Sequence, residues 1–231
     1  MDIEKKKKRR KINILNKINE ISKIKLQKFE DLLLKYNEDI NLTNIVDHEE
    51  IKVKHFLDSI EPTKHFKFEG NVIDIGTGGG FPGIPLAIYL PSVNFTLIDS
   101  TAKKINFINT VIKELDLSNV KTIIGRAEEV SKNNREIFDI TTSRAVAHLR
   151  VLAEYSLPFL KIGGHMLSYK SREVYDEIKE AKEIVEKLGG KVVETIEYNV
   201  EKYERSLIII EKISETPEKY PRRQNQINNQ K

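Results

Sequence analysis

Five glycines fall within residues 76–83 of the stretch NVIDIGTGGGFPGIP, residues 71–85, directly behind a short apolar run. This density constrains the fold more than any other feature. Each glycine in an ordered element costs about 0.5–1 kcal/mol of chain entropy, and in return it admits a positive φ or a close backbone approach. An apolar run, a glycine-rich turn and a following helical pattern form the first strand–turn–helix of an open α/β sheet. In such sheets ligands bind at the carboxyl ends of the strands. The spacing therefore predicts a bound nucleotide-like group.

Downstream the texture supports that placement. NVIDI, NFTLID, VKTIIG and FDITTS are β-type runs, separated by helical patterns over 82–90, 101–115 and part of 127–136. This alternation predicts βαβ units and a mainly parallel, twisted sheet with helices on both faces, a Rossmann-like α/β fold. A helix near 147–157, a strand at GGHMLSYK, a charged helix near 173–188 and two closing strands near 191–198 and 205–212 complete it. Upstream, Leu26, Phe29, Leu33 and Tyr36 recur at helical spacing, so a helix is expected over 12–37, stopped by YNEDINLTN. Asp47 is placed to cap a second helix, with Val53, Phe56, Leu57 and Ile60 on one face and Pro62 ending it. The organisation predicted is a basic tail (1–11), a small N-terminal helical extension (12–66), the sheet domain (67–216) and a polar, mobile, basic tail (217–231).

Two nucleotide classes compete for the glycine turn. Gly78, Gly80 and Gly83 match G-x-G-x-x-G, and Asp99 follows Gly80 by 19 residues, as in a dinucleotide fingerprint. That frame starts three residues beyond the strand end at Ile75. Starting at Gly76 instead puts Phe81 where the third glycine belongs. Asp74, at the strand's carboxyl end, would repel a pyrophosphate and attract a cationic ligand. Asp74-x-Gly76-x-Gly78-x-Gly80 is the pattern of S-adenosylmethionine-dependent methyltransferases, in which Asp99 accepts hydrogen bonds from the ribose hydroxyls.

Composition narrows the chemistry. The 231 residues contain no cysteine, which removes disulfides, thiolate metal sites and cysteine nucleophiles, and fits a cytoplasmic chain. His48, His65 and His148 lack metal-ligand spacing, so no metal is expected. The longest apolar stretch, residues 81–93, is interrupted by three prolines, and no membrane contact is expected. The net charge of +4 is unevenly spread. Residues 1–11 hold seven Lys/Arg against two acids, and 217–231 hold four against one. Two basic ends on a mildly acidic body point to a polyanionic partner.

Beyond these readings, the motifs DIGTGGGFPGIPLAI, LIDSTAKKINFI, GRAEEV and SRAVA resemble the glucose-inhibited division protein B family. YNEDINLTN and HFLDS upstream, and SYKS and YPRR downstream, extend the similarity over roughly residues 29–223. Tyr36 stands where the family usually has tryptophan, and Ser171 where it has glycine. The resemblance implies a class I methyltransferase, a monomer, acting on N7 of a guanine in bacterial small-subunit (16S) ribosomal RNA, guanosine 527 in standard numbering. The free RNA, the 30S particle or its precursor would be the partner, and S-adenosylhomocysteine the product. It implies donor contacts at Gly76, Phe81, Ala127, Glu128 and Arg144. Asp74, Gly78, Gly80, Asp99 and the adjoining Ser100 join them from the strand-end positions.

Methylation at N7 removes no proton, so no Ser-His-Asp arrangement is required; the base must only be held in line with the methyl group. Candidates for holding it are Asn41, Thr43, His55, Arg144 and Lys170. Plain alternatives stand beside them: turn chemistry for Asn41 and Thr43, core packing for His55, a first-turn helix carboxylate for Glu128. A dinucleotide-dependent oxidoreductase and a ribosome-assembly factor with a vestigial donor pocket are the competing functions.

Overall fold

The computed structural model describes residues 19–171 and 174–228. The basic stretch 1–11, the start of the expected first helix (12–18) and residues 229–231 lie outside them. A seven-stranded sheet forms the centre, with β1 (Asn71–Ile75), β2 (Asn94–Asp99), β3 (Val120–Ile124), β4 (Phe138–Arg144), β5 (Leu160–Ser171), β6 (Gly190–Val200) and β7 (Tyr203–Lys212). Their order is β3-β2-β1-β4-β5-β7-β6, parallel except that β7 runs against both its neighbours. The strand order reverses at β1, where β2 lies on one side and β4 on the other, and this switch point is the expected ligand crevice.

Side chains alternate across the sheet with the two-residue period of a strand. Val72, Phe95, Leu97, Ile140 and Leu167 pack into one core with α1 (Glu20–Ile40), α3 (Gly83–Tyr89) and α4 (Ala102–Leu115). Ile73, Ile75, Ile98, Met166 and Ile208 face the other side, under α6 (Leu149–Ser156) and α7 (Tyr175–Lys187). The short α5 (Ala127–Val130) follows β3.

The N-terminal helices differ from the expected outline. α1 starts on Asn19, whose side chain accepts from the Ser22 N–H at 2.8 Å, and it runs to Ile40, one turn beyond the expected stop. Asn37 is helical and stitches the following loop instead: its Oδ1 accepts from the Leu42 and Thr43 N–H groups and its Nδ2 donates to the Thr43 carbonyl. Asn41, left-handed at φ 54°, ends the helix. The composite helix α2 begins at His48–Glu50, capped by Asp47, and passes through a π-helical stretch, Ile51–Leu57, and one α-turn, Asp58–Ile60. Pro62 does not end it. The chain continues as a 3-10 turn, Glu61–Lys64, whose first positions need no amide donor from proline.

The C-terminal segment is not a loose polar tail as expected. Glu154 is fully buried, and Arg222 donates to both its carboxylate oxygens through Nε at 2.9 and 3.1 Å. Arg135 donates to the carbonyls of Thr216, Pro217 and Tyr220. Tyr220 and Ile227 are buried, the latter in the short helix α8 (Gln224–Asn228) against Ala127, Val130 and Tyr155. A charge buried as completely as Glu154 requires a partner, and the nearest cation in reach belongs to this segment.

A candidate nucleotide-cofactor site at the switch point

The turn after β1 is hooked to β2 by the Thr77 N–H, which donates to the Ile98 carbonyl at 2.9 Å. Gly76, Gly78 and Gly80 all take positive φ, 67°, 58° and 96°. They serve different ends. A Cβ on Gly78 would meet only the Gly76 carbonyl oxygen, at 3.9 Å, and the Gly78 N–H donates to Asp99. A Cβ on Gly80 would stand 2.8 Å from Ile84 and 2.9 Å from Ile108. Gly80 thus seats the turn on α3 and α4 and does not line the cavity, contrary to the sequence expectation.

In front of the turn lies a cavity of about 510 Å³ walled by Gly76, Thr77, Gly78, Asp99, Ala127 and Glu128, with Ser100 and Lys104 at one side and Arg144 and Val146 at the other. Asp99, 8% exposed, accepts from Gly78 N–H at 3.1 Å on one oxygen and from Thr101 N–H at 2.8 Å on the other. Glu128 is nearly buried and accepts from Arg126 Nε at 2.7 Å. A carboxylate on the second strand end beside an open glycine turn can take vicinal hydroxyls, and a floor of small and apolar groups suits an adenine ring.

Asp74 is a second correction. It is fully buried and outside the cavity wall. Its oxygens accept from Thr142 Oγ1 at 2.8 Å and from the Gly83 N–H at 3.2 Å. Burial pushes its carboxyl up to about 6, against the pull of these hydrogen bonds. Asp74 therefore fastens the start of α3, just past the glycine turn, to β4, and it does not line the cavity.

The cavity's other wall is aromatic and cationic. His55 stacks on Phe81, centroids 4.3 Å apart and planes 20° from parallel, and the Arg144 guanidinium lies 5.2 Å from the Phe81 centroid. Arg144 Nη1 donates to Asp58 at 3.0 Å and to the Lys54 carbonyl at 3.1 Å. Its Nη2 faces His55 Nδ1 at 3.4 Å, so Nε2 carries the imidazole proton and donates to Thr43 Oγ1 at 2.7 Å. Burial, with the neighbouring Arg144 charge, depresses the His55 pKa to about 3. Asn41, Thr43 and Lys170 do not line the cavity; Thr43 Oγ1 sits behind His55 and also accepts from the Ile45 N–H at 3.0 Å. Lys170 turns away to the Ala147 carbonyl, at 2.9 Å, and to Glu177.

Sequence reasoning missed Asp58, Thr77, Lys104 and Tyr155, the last also a cavity residue. Asp58 had a signal: an acid between Leu57 and Ile60 on an apolar helix face requires a cationic partner. Among the described residues no group of three His, Asp or Glu is placed to hold a metal ion, and no helix is long and apolar enough to cross a membrane.

The family model described as rRNA small subunit methyltransferase G (GidB) matches residues 22–208. The chain belongs to this family. Two relatives called ribosomal RNA small subunit methyltransferase G illustrate the similarity. The protein of Clostridium beijerinckii is 47% identical over 213 residues, 88% of this chain and 89% of that one. The protein of Alkaliphilus metalliredigens is 46% identical over 84% of each chain. Among solved structures, M. jannaschii TYW2 in complex with AdoMet has a TM-score of 0.55 at 21% identity, covering 68% of this chain and 77% of its own. A SAM dependent methyltransferase from Aquifex aeolicus has a TM-score of 0.52 at 19% identity, covering 71% and 93%. These likenesses show the class I methyltransferase fold, and the family makes the chain a methyltransferase.

Proposed function

We propose that this family member transfers a methyl group from S-adenosylmethionine to N7 of a guanine in 16S ribosomal RNA, guanosine 527 in standard numbering. The observation that carries the donor assignment is Asp99, held at the end of β2 beside the open turn at Gly78. In this reading Asp99 takes the ribose hydroxyls, the backbone at Gly76 and Gly78 passes close to the donor, and Ala127 and Glu128 border the adenine. The donor supplies an electrophilic methyl group on a sulfonium.

The other wall supports a base-positioning role. Phe81, His55 and Arg144 form a fixed aromatic and cationic surface at the same cavity. Arg144 is suited to the guanine O6 edge. His55, neutral and a poor base near pH 7, is suited to packing rather than proton transfer. Guanine N7 attacks with an in-plane lone pair, so a wall that holds the base and moves no proton matches that chemistry.

The test is purified protein with S-adenosylmethionine and unmethylated small-subunit RNA or 30S particles, followed by nucleoside mass spectrometry. The expected product is 7-methylguanosine at one site. Another methylated nucleoside would overturn the atom assigned. Donor binding without transfer to any RNA or particle would favour an assembly factor, and binding of nicotinamide dinucleotide in place of the donor would favour an oxidoreductase.

A further inference from the structure

Lys170 resembles a base-holding residue in the sequence, yet its ammonium is committed elsewhere. It donates to the Ala147 carbonyl at 2.9 Å and pairs with Glu177, both side chains being 14% exposed. The same Glu177 oxygen accepts the Leu149 N–H and so caps the start of α6. These contacts converge on residues 145–148, the loop between β4 and α6.

That loop is under strain and faces the cavity. Ala145 sits at φ 55°, a left-handed conformation unfavourable to any residue with a Cβ. Ala145 and Val146 line the cavity beside Arg144. Val146 presses on the glycine turn: its Cγ2 lies 2.9 Å from where a Cβ on Gly76 would be. Local preference alone would let Ala145 relax to negative φ, which would swing Val146 off Gly76 and alter the exit of Arg144 from β4.

We infer that the Lys170–Glu177 pair, reaching from β5 and α7, is the positioning device that holds residues 145–148 in their strained form and so shapes both the donor cavity and the seat of Arg144. The turnover arm rests on the methyl-transfer reading above; the donor-binding arm rests only on its donor assignment. Lys170 is in this sense a positioning residue with no contact to the base.

The test pairs Lys170→Met with Ala145→Gly. Glycine adopts the left-handed conformation without the Cβ penalty, so it lowers the loop's need for a brace. Lys170→Met should lower turnover on RNA at least tenfold and weaken S-adenosylhomocysteine binding, by calorimetry, at least threefold. Adding Ala145→Gly to Lys170→Met should recover at least a third of each loss on a logarithmic scale, whatever happens to the thermal midpoint. Wild-type-like turnover and affinity in Lys170→Met would overturn the inference. So would losses that Ala145→Gly does not recover, the result expected if Lys170 touched the base or served stability alone. If Lys170→Met fails to fold, Glu177→Gln, which keeps an acceptor for Leu149, is measured in the same two ways with and without Ala145→Gly. A wild-type protein inactive on RNA would count against the methyl-transfer reading, while the affinity arm would still decide the brace.

Discussion

Arg144 Nη1 lies 3.0 Å from Asp58 Oδ2, an ion pair with side chains only 13% and 7% exposed that ties the last residue of β4 to the helical extension. The other oxygen of Asp58 accepts from Arg205 Nε of β7 at 2.7 Å. One carboxylate thus joins three parts of the chain, α2, the sheet centre and the antiparallel hairpin, at the edge of the cavity. The π-helical turn contributes as well, since the Lys54 carbonyl is turned to Arg144 at 3.1 Å.

Removing Asp58 leaves two guanidinium groups without their shared counter-charge. Breaking a buried pair from one side costs about 3–5 kcal/mol, so Asp58→Asn should lower unfolding stability by an amount of that order and reduce turnover. Arg144→Ala differs, because Asp58 keeps Arg205. It should cost less stability yet lose most turnover. Urea unfolding and methyl-transfer assays on both variants check this; equal stability losses, or full turnover in Arg144→Ala, would contradict it.

Two buried titratable groups set opposing pH slopes. Asp74 has its pKa raised to about 6 from an ordinary 3.8, so the folded state binds the extra proton and stability falls as pH rises from about 4 to 6. His55 has its pKa lowered to about 3 from 6.5, so only the unfolded state is protonated between those values. Its contribution is fully present above pH 6.5 and is lost as pH falls. Relative to wild type, Asp74→Asn should therefore gain stability from pH 4 to 6, by up to about 3 kcal/mol. His55→Gln should lose relative stability over the same range. Unfolding curves at four pH values test both signs.

Much of the fold was legible because it is locally encoded. β1 and β2 run over the residues expected, since β-type runs between helical patterns and a glycine turn leave little freedom. The direction of a single side chain is less local. Asp74 and Asp99 both lie at strand ends, but the register pairs Asp74 with Leu97 and Ile75 with Ile98. Asp99 therefore stands one residue past the end of β1, at the cavity, while Asp74 lies one short of it, inside the core. The Lys170 pairing, the Arg222–Glu154 latch and the Asp58 clamp span 7, 68 and 86 positions of sequence. No periodicity or cap signal encodes which acid meets which base over the two longer gaps.

Asp99→Ala tests the donor assignment directly. A carboxylate hydrogen-bonded to hydroxyls is worth about 1.5–3 kcal/mol, so the donor dissociation constant should rise roughly tenfold to a hundredfold. The variant also frees the Gly78 and Thr101 N–H groups that Asp99 now holds. Calorimetry on the folded variant showing unchanged affinity would remove Asp99 from the site.

Arg222→Ala tests the C-terminal latch. Glu154 is 0% exposed and would lose its cation, at a cost of about 3–5 kcal/mol. Replacing both groups with leucine should be far less harmful, because no unpaired charge stays buried. A chemical-denaturation series on the single and double variants distinguishes a latch from a loose tail, for which Arg222→Ala would change nothing.

The last expectation concerns the basic residues outside the described structure. Arg222 is committed to Glu154, so the C-terminal segment offers an RNA less charge than its composition suggests. The seven Lys/Arg of residues 1–11 are then the larger reserve for phosphate contacts. Each phosphate neutralised by a cation releases condensed counterions and adds roughly 0.7–0.9 to the slope of log K against log salt. Deleting residues 1–11 should therefore weaken RNA or 30S binding and flatten its salt dependence by several such increments. Donor affinity should not change, because the cavity is built from residues 42–155. Binding measured at three or more salt concentrations decides the matter: an unchanged slope would mean that these lysines and arginines do not meet the RNA, and a changed donor affinity would mean that they reach the cavity.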